Sequence, residues 1–379
     1  MPKTLLIEGW RFVPHSYACV NMWQCLELIK RPDVELYHRD LPYFKPEWKP
    51  TQHLFDPAAT AALKAIPPLP PGKKADLLLR VAFPYRFDRN NAGRHLVFGT
   101  AEHGIVTPSM VEGGVPLAQA MADSEALIIT PSNWSRAGFL RSGVAPERVA
   151  LVPHGVDPGI FRPLPEAERE ALRRQLGWQD NFVVLNVGCM TGNKGVRYLL
   201  KACAVLQERF PQLKLCMKGL DPLYPSRRLL QEAGDLLTAE EGTRLASSLV
   251  YIGEDLSFSD MVSLYNAADA YVSPYIAEGF NLPVLEAAAC GLPVICTAGG
   301  PTDDFVDASF AKRIDSTLIQ KDGLLGVQPD LEHLVELIAQ TVQDHEFRQK
   351  ARGAGPSFVA GSFTWRHAVE KLLTLPQSD

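Results

Sequence analysis

Short β-branched or leucine-rich runs alternate with amphipathic helical segments along nearly the whole chain. That alternation restricts the fold more than any other feature. The runs at residues 3–8, 34–38, 76–83, 95–100, 126–130 and 149–152 read as strands, followed by a second series at 182–187, 213–218, 249–252, 270–273 and 293–297. Between them lie segments such as 196–210, whose apolar residues Leu199, Leu200, Ala202, Cys203 and Leu206 recur at helical spacing. Strands separated by helices predict a parallel sheet covered on both faces. Two such series predict two doubly wound, Rossmann-like α/β domains. The seam is expected at about residues 157–165, where VDPGIFRPLP concentrates three prolines and a glycine before a charged helical run from Glu166. This gives domains of 1–162 and 163–362. Residues 66–72 read as a Pro-rich loop, and no short repeat or low-complexity tract is present.

A length of 379 residues accommodates two or three such cores. With 46% hydrophobic and 21% charged residues the composition is that of a globular protein. The net charge of −5 argues against nucleic-acid binding through bulk charge. It is distributed as +3 up to residue 162 and −8 beyond it. Much of the positive excess falls within residues 30–94, with 12 basic against 7 acidic side chains. A solvated surface accounts for this excess; an acidic acceptor or an anionic membrane surface is the alternative. No apolar run approaches the ~18 residues of a membrane span, and the N-terminus MPKTLLIEGWRF does not read as a signal peptide. The seven cysteines are scattered, none in a Cys-x-x-Cys pair, which fits a reduced, cytoplasmic compartment. Weak peripheral contact with the inner face of a membrane is compatible with it.

In open α/β sheets ligands bind beyond the carboxyl ends of the strands. The strongest candidate there is PYIAEGFNLPVLEAAACG, residues 274–291. It leaves the strand 270–273 through a Glu-Gly-Phe-Asn loop and enters a helix whose start is marked by Asn281 and Pro283 and whose end is marked by Gly291. A helix start beside a glycine loop attracts phosphate through backbone N–H groups and the helix dipole. A carboxylate one or two turns in, Glu286, can accept hydrogen bonds from a ribose diol, and the loop carboxylate Glu278 can do the same for sugar hydroxyls. A first-turn glutamate favoured by the dipole is the plain structural alternative for Glu286, although a capping box from Asn281 would need the carboxylate at position 284.

Glu278-Gly-Phe-Asn-Leu-Pro-Val-Leu-Glu286 resembles the Glu-x7-Glu motif of retaining glycosyltransferases of the B-fold class, sequence family 4. ITPSNWS at 129–135, VPHGVD at 152–157, NVGCMTGNKG at 186–195 and AGGPTDD at 298–304 agree with it in the same order. The resemblance covers most of the chain and is weakest over about 40–95. It implies two Rossmann-like domains facing across a cleft, with the C-terminal domain binding a nucleotide-sugar donor and the N-terminal domain an acceptor. A final helix at about 365–373, within the tail 363–379, would return to the N-terminal domain. By resemblance Glu286 holds the ribose and Glu278 the sugar hydroxyls, while backbone groups around Gly279, Phe280, Asn281 and Leu282 seat the sugar. Lys194, in the turn with Gly188, Gly192, Asn193 and Gly195, and the turn at Gly299 and Gly300 would stabilise the departing diphosphate. The family often places an arginine after the first glycine of that loop, where this chain has Cys189; Lys218, at the end of a strand, is the candidate substitute. Gly9, with Trp10, His15 and Ser16 after it, marks the loop that approaches the donor phosphates from the other domain. His103 occupies the strand end where the family often has a histidine near the reacting carbon. For His15, His103, Lys194 and Lys218 a purely structural role is the competing reading.

No Gly-x-Ser-x-Gly elbow, Walker loop or His-Glu-x-x-His helix is present. The absence of Gly-x-Gly-x-x-Gly after the first strand weakens a nicotinamide dehydrogenase reading, and no Asp-x-Asp pair suggests a metal-bound diphosphate. The expectation is therefore a metal-independent hexosyltransferase with no cofactor, acting on a glycan, glycolipid or small-molecule acceptor. Retention could proceed by double displacement. No carboxylate is an obvious nucleophile, so same-face substitution, with the leaving phosphate taking the acceptor proton, is the expected alternative. A sugar-nucleotide epimerase or hydrolase on the same fold, or a non-catalytic nucleotide-sugar binder, are the rival functions.

Overall fold

The computed structural model describes residues 2–88 and 92–376. The chain divides into two compact units, Met1–Gly155 with Trp365–Asp379, and Val156–Thr364. The division falls upstream of the proline-rich segment where the seam was expected.

The N-terminal unit holds six parallel strands: β1 (Lys3–Gly9), β2 (Val34–Asp40), β3 (Leu77–Val81), β4 (Arg94–Phe98), β5 (Leu127–Thr130) and β6 (Val149–Leu151). Their order is β2-β1-β3-β4-β5-β6, so the winding reverses between β1 and β3, beside Gly9. Leu5, Ile7, Leu79 and Leu96 are fully buried, as strands covered on both faces require. A Cβ at Gly9 would sit 2.6 Å from the Val81 carbonyl oxygen and 2.9 Å from Asn21 Nδ2, so the end of β1 is packed too closely for any side chain. The last helix, Trp365–Leu373, belongs to this unit; the Trp365 ring stacks on Trp23 of helix Ser16–Ile29 at 6.4 Å.

The second unit repeats the architecture with β7 (Phe182–Val187), β8 (Leu213–Lys218), β9 (Leu249–Ile252), β10 (Ala270–Ser273), β11 (Val294–Thr297) and β12 (Ala311–Ile314). The order is β12-β11-β10-β7-β8-β9, all parallel, with the reversal between β7 and β10. One core gathers Val184, Leu215, Val272 and Ile295 from one face of the sheet with Leu199 and Ile338 from the helices that cover it. A hairpin of β13 (Ser316–Lys321) and β14 (Leu324–Pro329) follows, closed by Asp322 and Gly323, both left-handed. Neither β12 nor the hairpin was expected from the sequence. β12 reads Ala-Lys-Arg-Ile, and charge on a sheet edge hides a strand from an apolar-run criterion. The hairpin carries an Asp-Gly turn, a strong short-range hairpin signal, between strands whose exposed faces break the apolar runs.

Candidate active site

The reversal between β7 and β10 places two loops side by side at the carboxyl ends of the strands. The 188–195 loop leaves β7 and runs into helix Val196–Leu206; the 274–281 loop leaves β10 and runs into helix Leu282–Ala289. Asn193 joins them. Its carbonyl accepts the N–H groups of Ile276 at 2.7 Å and Ala277 at 3.2 Å. Its side-chain Nδ2 donates to the Ala277 carbonyl at 3.0 Å, and its Oδ1 accepts the Thr191 hydroxyl at 2.6 Å. The Asn193 side chain thus ties the two loops together, a role that sequence reasoning did not reveal. Gly195 completes the seam: its φ is +66° and a Cβ there would overlap the Pro274 carbonyl oxygen.

This stitching sets the next residue of each loop opposite the other. Lys194 Nζ donates to Glu278 Oε1 at 2.7 Å, and Glu278 is only 7% exposed. The lysine stem passes beside Gly188, where a Cβ would lie 3.7 Å from Lys194 Cγ. Asn281 is left-handed at φ +79°, buried, and donates from Nδ2 to Ser273 Oγ at 2.9 Å, so its side chain does not cap the helix it precedes. Phe280 turns into the core and stacks on Phe305 at 4.4 Å, leaving its backbone, with Gly279 and Leu282, as what this turn can offer a ligand.

Glu286 lies in the second turn of the helix and accepts the Tyr265 hydroxyl at 2.7 Å. Burial raises its carboxyl to about 7, with the Tyr265 bond opposing that rise. Lys218, 4% exposed, ends β8 beside the backbone of Gly188, and its Nζ donates to the Gly219 carbonyl. Burial lowers its ammonium to about 8, against the stabilising charges of Asp255, Glu254 and Asp221. Cys189, which follows the first glycine of this loop, places its Sγ 3.2 Å from the Thr191 hydroxyl. After β11, the Gly299 N–H donates to Asp303 Oδ2 at 2.9 Å, and Asp303 pairs with Arg313 at 3.0 Å. That N–H is thus committed inside its own turn. Gly300 lies against Tyr275, whose hydroxyl would be 2.5 Å from a Cβ and donates to the Thr297 carbonyl at 2.9 Å.

The N-terminal unit carries the remaining candidates. His15 caps helix Ser16–Ile29, its Nδ1 accepting the Tyr17 N–H at 3.2 Å, and stands among Trp10, Trp48 and Tyr17. Burial lowers its imidazole to about 4, which keeps it neutral. Ser16 is exposed at the first position of that helix. His103 is half-buried in a turn closed by Gly104 N–H to the Ala101 carbonyl at 2.9 Å and braced by Arg141 Nε on the Gly104 carbonyl at 2.8 Å. Among the described residues no group of three or more His, Cys, Asp and Glu side chains is placed to hold a metal ion, and no helix is long and apolar enough to cross a membrane.

Residues 168–358, half of the chain and containing both loops, match the family described as glycosyl transferases group 1. The chain belongs to the group 1 glycosyl transferases. It is 30% identical over 284 residues to a D-inositol 3-phosphate glycosyltransferase 1 of Catenulispora acidiphila, covering 73% of this chain and 62% of that one. It is 26% identical over 256 residues to the D-inositol 3-phosphate glycosyltransferase of Mycobacterium tuberculosis H37Ra, covering 67% and 49%. The match thus spans about half to three-fifths of these relatives' length. The crystal structure of Anabaena Alr3699/HepE in complex with UDP and glucose superposes with a TM-score of 0.67 over 98% of both chains at 16% identity. That likeness establishes the B-type fold of this group 1 glycosyltransferase.

Proposed function

We propose that this glycosyltransferase moves a hexose from a nucleoside diphosphate sugar to an acceptor hydroxyl with retention of anomeric configuration and without an essential metal. The Lys194–Glu278 pair carries this reading. A cation and a carboxylate held at one strand-end switch point match the two ends of the bond to be broken: a diphosphate that gains charge and a sugar rich in hydroxyl donors. Lys194 neutralises the leaving phosphate, Glu278 accepts from sugar hydroxyls, and Glu286 accepts from the ribose diol. Lys218 supplies the second positive charge that Cys189 does not. Backbone groups of Gly279–Leu282, at the start of the helix, seat the sugar. The acceptor hydroxyl adds on the face that the diphosphate leaves, and a phosphate oxygen takes the acceptor proton.

The structural neighbour solved with UDP and glucose makes UDP-glucose the first donor to test, and the names of the relatives make D-inositol 3-phosphate one of the acceptors. The experiment is NMR of the product anomeric proton with EDTA present. An α-linked product from an α-linked donor supports the reading; a β-linked product, or loss of all transfer in EDTA with recovery on adding metal, contradicts it. Cys189 favours a second reading, nucleotide-sugar binding without transfer. Donor that binds yet never turns over, with water or any acceptor, would select it.

A further inference from the structure

Among the described residues, one side-chain donor reaches the Glu286 carboxylate. The Tyr265 hydroxyl, 2.7 Å from Oε2, comes from helix Phe258–Ala267, which follows β9 rather than either site loop. Tyr265 is fully buried, and its ring is fixed edge-on by Phe161 at 6.3 Å and tilted against Tyr271 at 6.1 Å. A ring so confined cannot swing its hydroxyl away without repacking the core.

The groups facing Glu286 are otherwise poor at holding a negative charge. Tyr271 approaches from β10 and Cys290 from its own helix; both remain neutral, because burial and the neighbouring carboxylates push their protons on more tightly. Glu278, across Tyr271, carries the same sign. Burial drives the Glu286 carboxyl toward protonation, and only the Tyr265 hydroxyl opposes it. A protonated carboxyl is a worse acceptor for two ribose hydroxyls than a carboxylate, because one oxygen has become a donor.

We propose that Tyr265 is a positioning residue for nucleotide recognition: it fixes Oε2 of Glu286 and sustains the carboxylate, leaving Oε1 directed to the ribose diol. This rests on the reading of Glu286 as the ribose ligand. It predicts that the enzyme's nucleotide affinity follows the titration of a tyrosine-supported carboxylate, and that the hydroxyl rather than the aromatic ring matters.

The test compares wild type, Tyr265→Phe and Glu286→Gln. Dissociation constants for UDP, GDP and ADP are measured calorimetrically from pH 5.5 to 8.5, beside melting temperature without ligand. Dividing each affinity by that of Glu286→Gln removes the titration of the nucleotide phosphates and of Lys218. The normalised wild-type affinity should rise with pH through about 7. Tyr265→Phe should follow the same curve displaced to higher pH, weaker by roughly fivefold at pH 7 and converging on wild type at the alkaline end. Without ligand, the melting temperature of wild type should fall relative to Glu286→Gln as pH rises toward and past 7, and that fall should continue to higher pH in Tyr265→Phe. A uniform loss of affinity at every pH in Tyr265→Phe, with melting curves parallel to wild type, would mean packing alone and overturn the proposal. Unchanged nucleotide affinity in Glu286→Gln, or no nucleotide binding by wild type, would overturn instead the reading of Glu286, while the ligand-free melting curves still decide what Tyr265 does to the carboxylate.

Discussion

Lys194 and Glu278 are separated by 84 residues in sequence and by 2.7 Å in space. Neither is placed by its own rotamer alone. Asn193 and Gly195 lock the lysine loop to the backbone of residues 274–277, so the ion pair is the by-product of a backbone seam. With Glu278 largely buried, the pair stores charge where a sugar diphosphate is proposed to bind, and ligand hydroxyls and phosphate can replace each partner's contact with the other.

Lys194→Ala leaves a mostly buried carboxylate without its cation. We predict a clear drop in melting temperature at pH 7. Adding Glu278→Gln should restore part of the loss, giving a coupling of about 1–3 kcal/mol in a double-mutant cycle. Additive losses in calorimetric unfolding would mean that the pair contributes nothing as a pair.

Gly195→Ala should be the most damaging single methyl group in the site. It meets both a left-handed backbone and the Pro274 carbonyl, so the two loops must separate. A destabilisation of about 2 kcal/mol or more is expected, with nucleotide binding lost beyond what instability explains. Gly192→Ala, which meets nothing within 4 Å, is the control and should stay within about 0.5 kcal/mol. Equal denaturation midpoints for the two variants would contradict the seam.

Lys218 carries its charge below about pH 8 and loses it above. If it supplies the second positive charge, affinity for a nucleoside diphosphate should decline as pH rises through 8, and Lys218→Met should be weaker at pH 7 and lack that decline. Retained wild-type affinity in Lys218→Met at pH 7, measured by titration calorimetry, would leave the lysine as a structural residue.

Gly355, in helix His345–Ser362, lies where a Cβ would be 2.5 Å from the Ala288 carbonyl of the helix that bears Glu286. Gly355→Val should cost about 1–3 kcal/mol and weaken nucleotide binding through displacement of Glu286. A stability loss in urea unfolding with unchanged affinity would show that the helix start is held independently of this crossing.

The twofold α/β architecture was legible because runs such as Phe182–Val187 and Leu213–Lys218 are mostly apolar, as strands covered on both faces are. The last helix, Trp365–Leu373, was expected from the family resemblance alone. β12 was not, since Lys312 and Arg313 tolerate an edge position. The glutamates at 278 and 286 stood out through their spacing around a loop-to-helix junction. Their partners did not: Tyr265 reaches Glu286 from another helix, and no local pattern marks a buried tyrosine as a hydrogen-bond donor. Asn193 and Gly299 stood out because loop polarity and glycines are visible in a sequence, whereas their internal partners, Ala277, Thr191 and Asp303, become visible only with the backbone in place.

The central claim is that the second unit recognises the sugar as well as the nucleotide, through Glu278. The direct measurement is titration calorimetry of wild type and Glu278→Ala with UDP-glucose and UDP, and with the GDP, ADP and dTDP pairs, in EDTA. The account predicts that one nucleotide sugar binds wild type more tightly than its free nucleotide, and that Glu278→Ala abolishes this difference while leaving the free nucleotide within about threefold. Equal loss of both ligands in the variant, or a nucleotide sugar that wild type binds no better than the nucleotide alone, would contradict it.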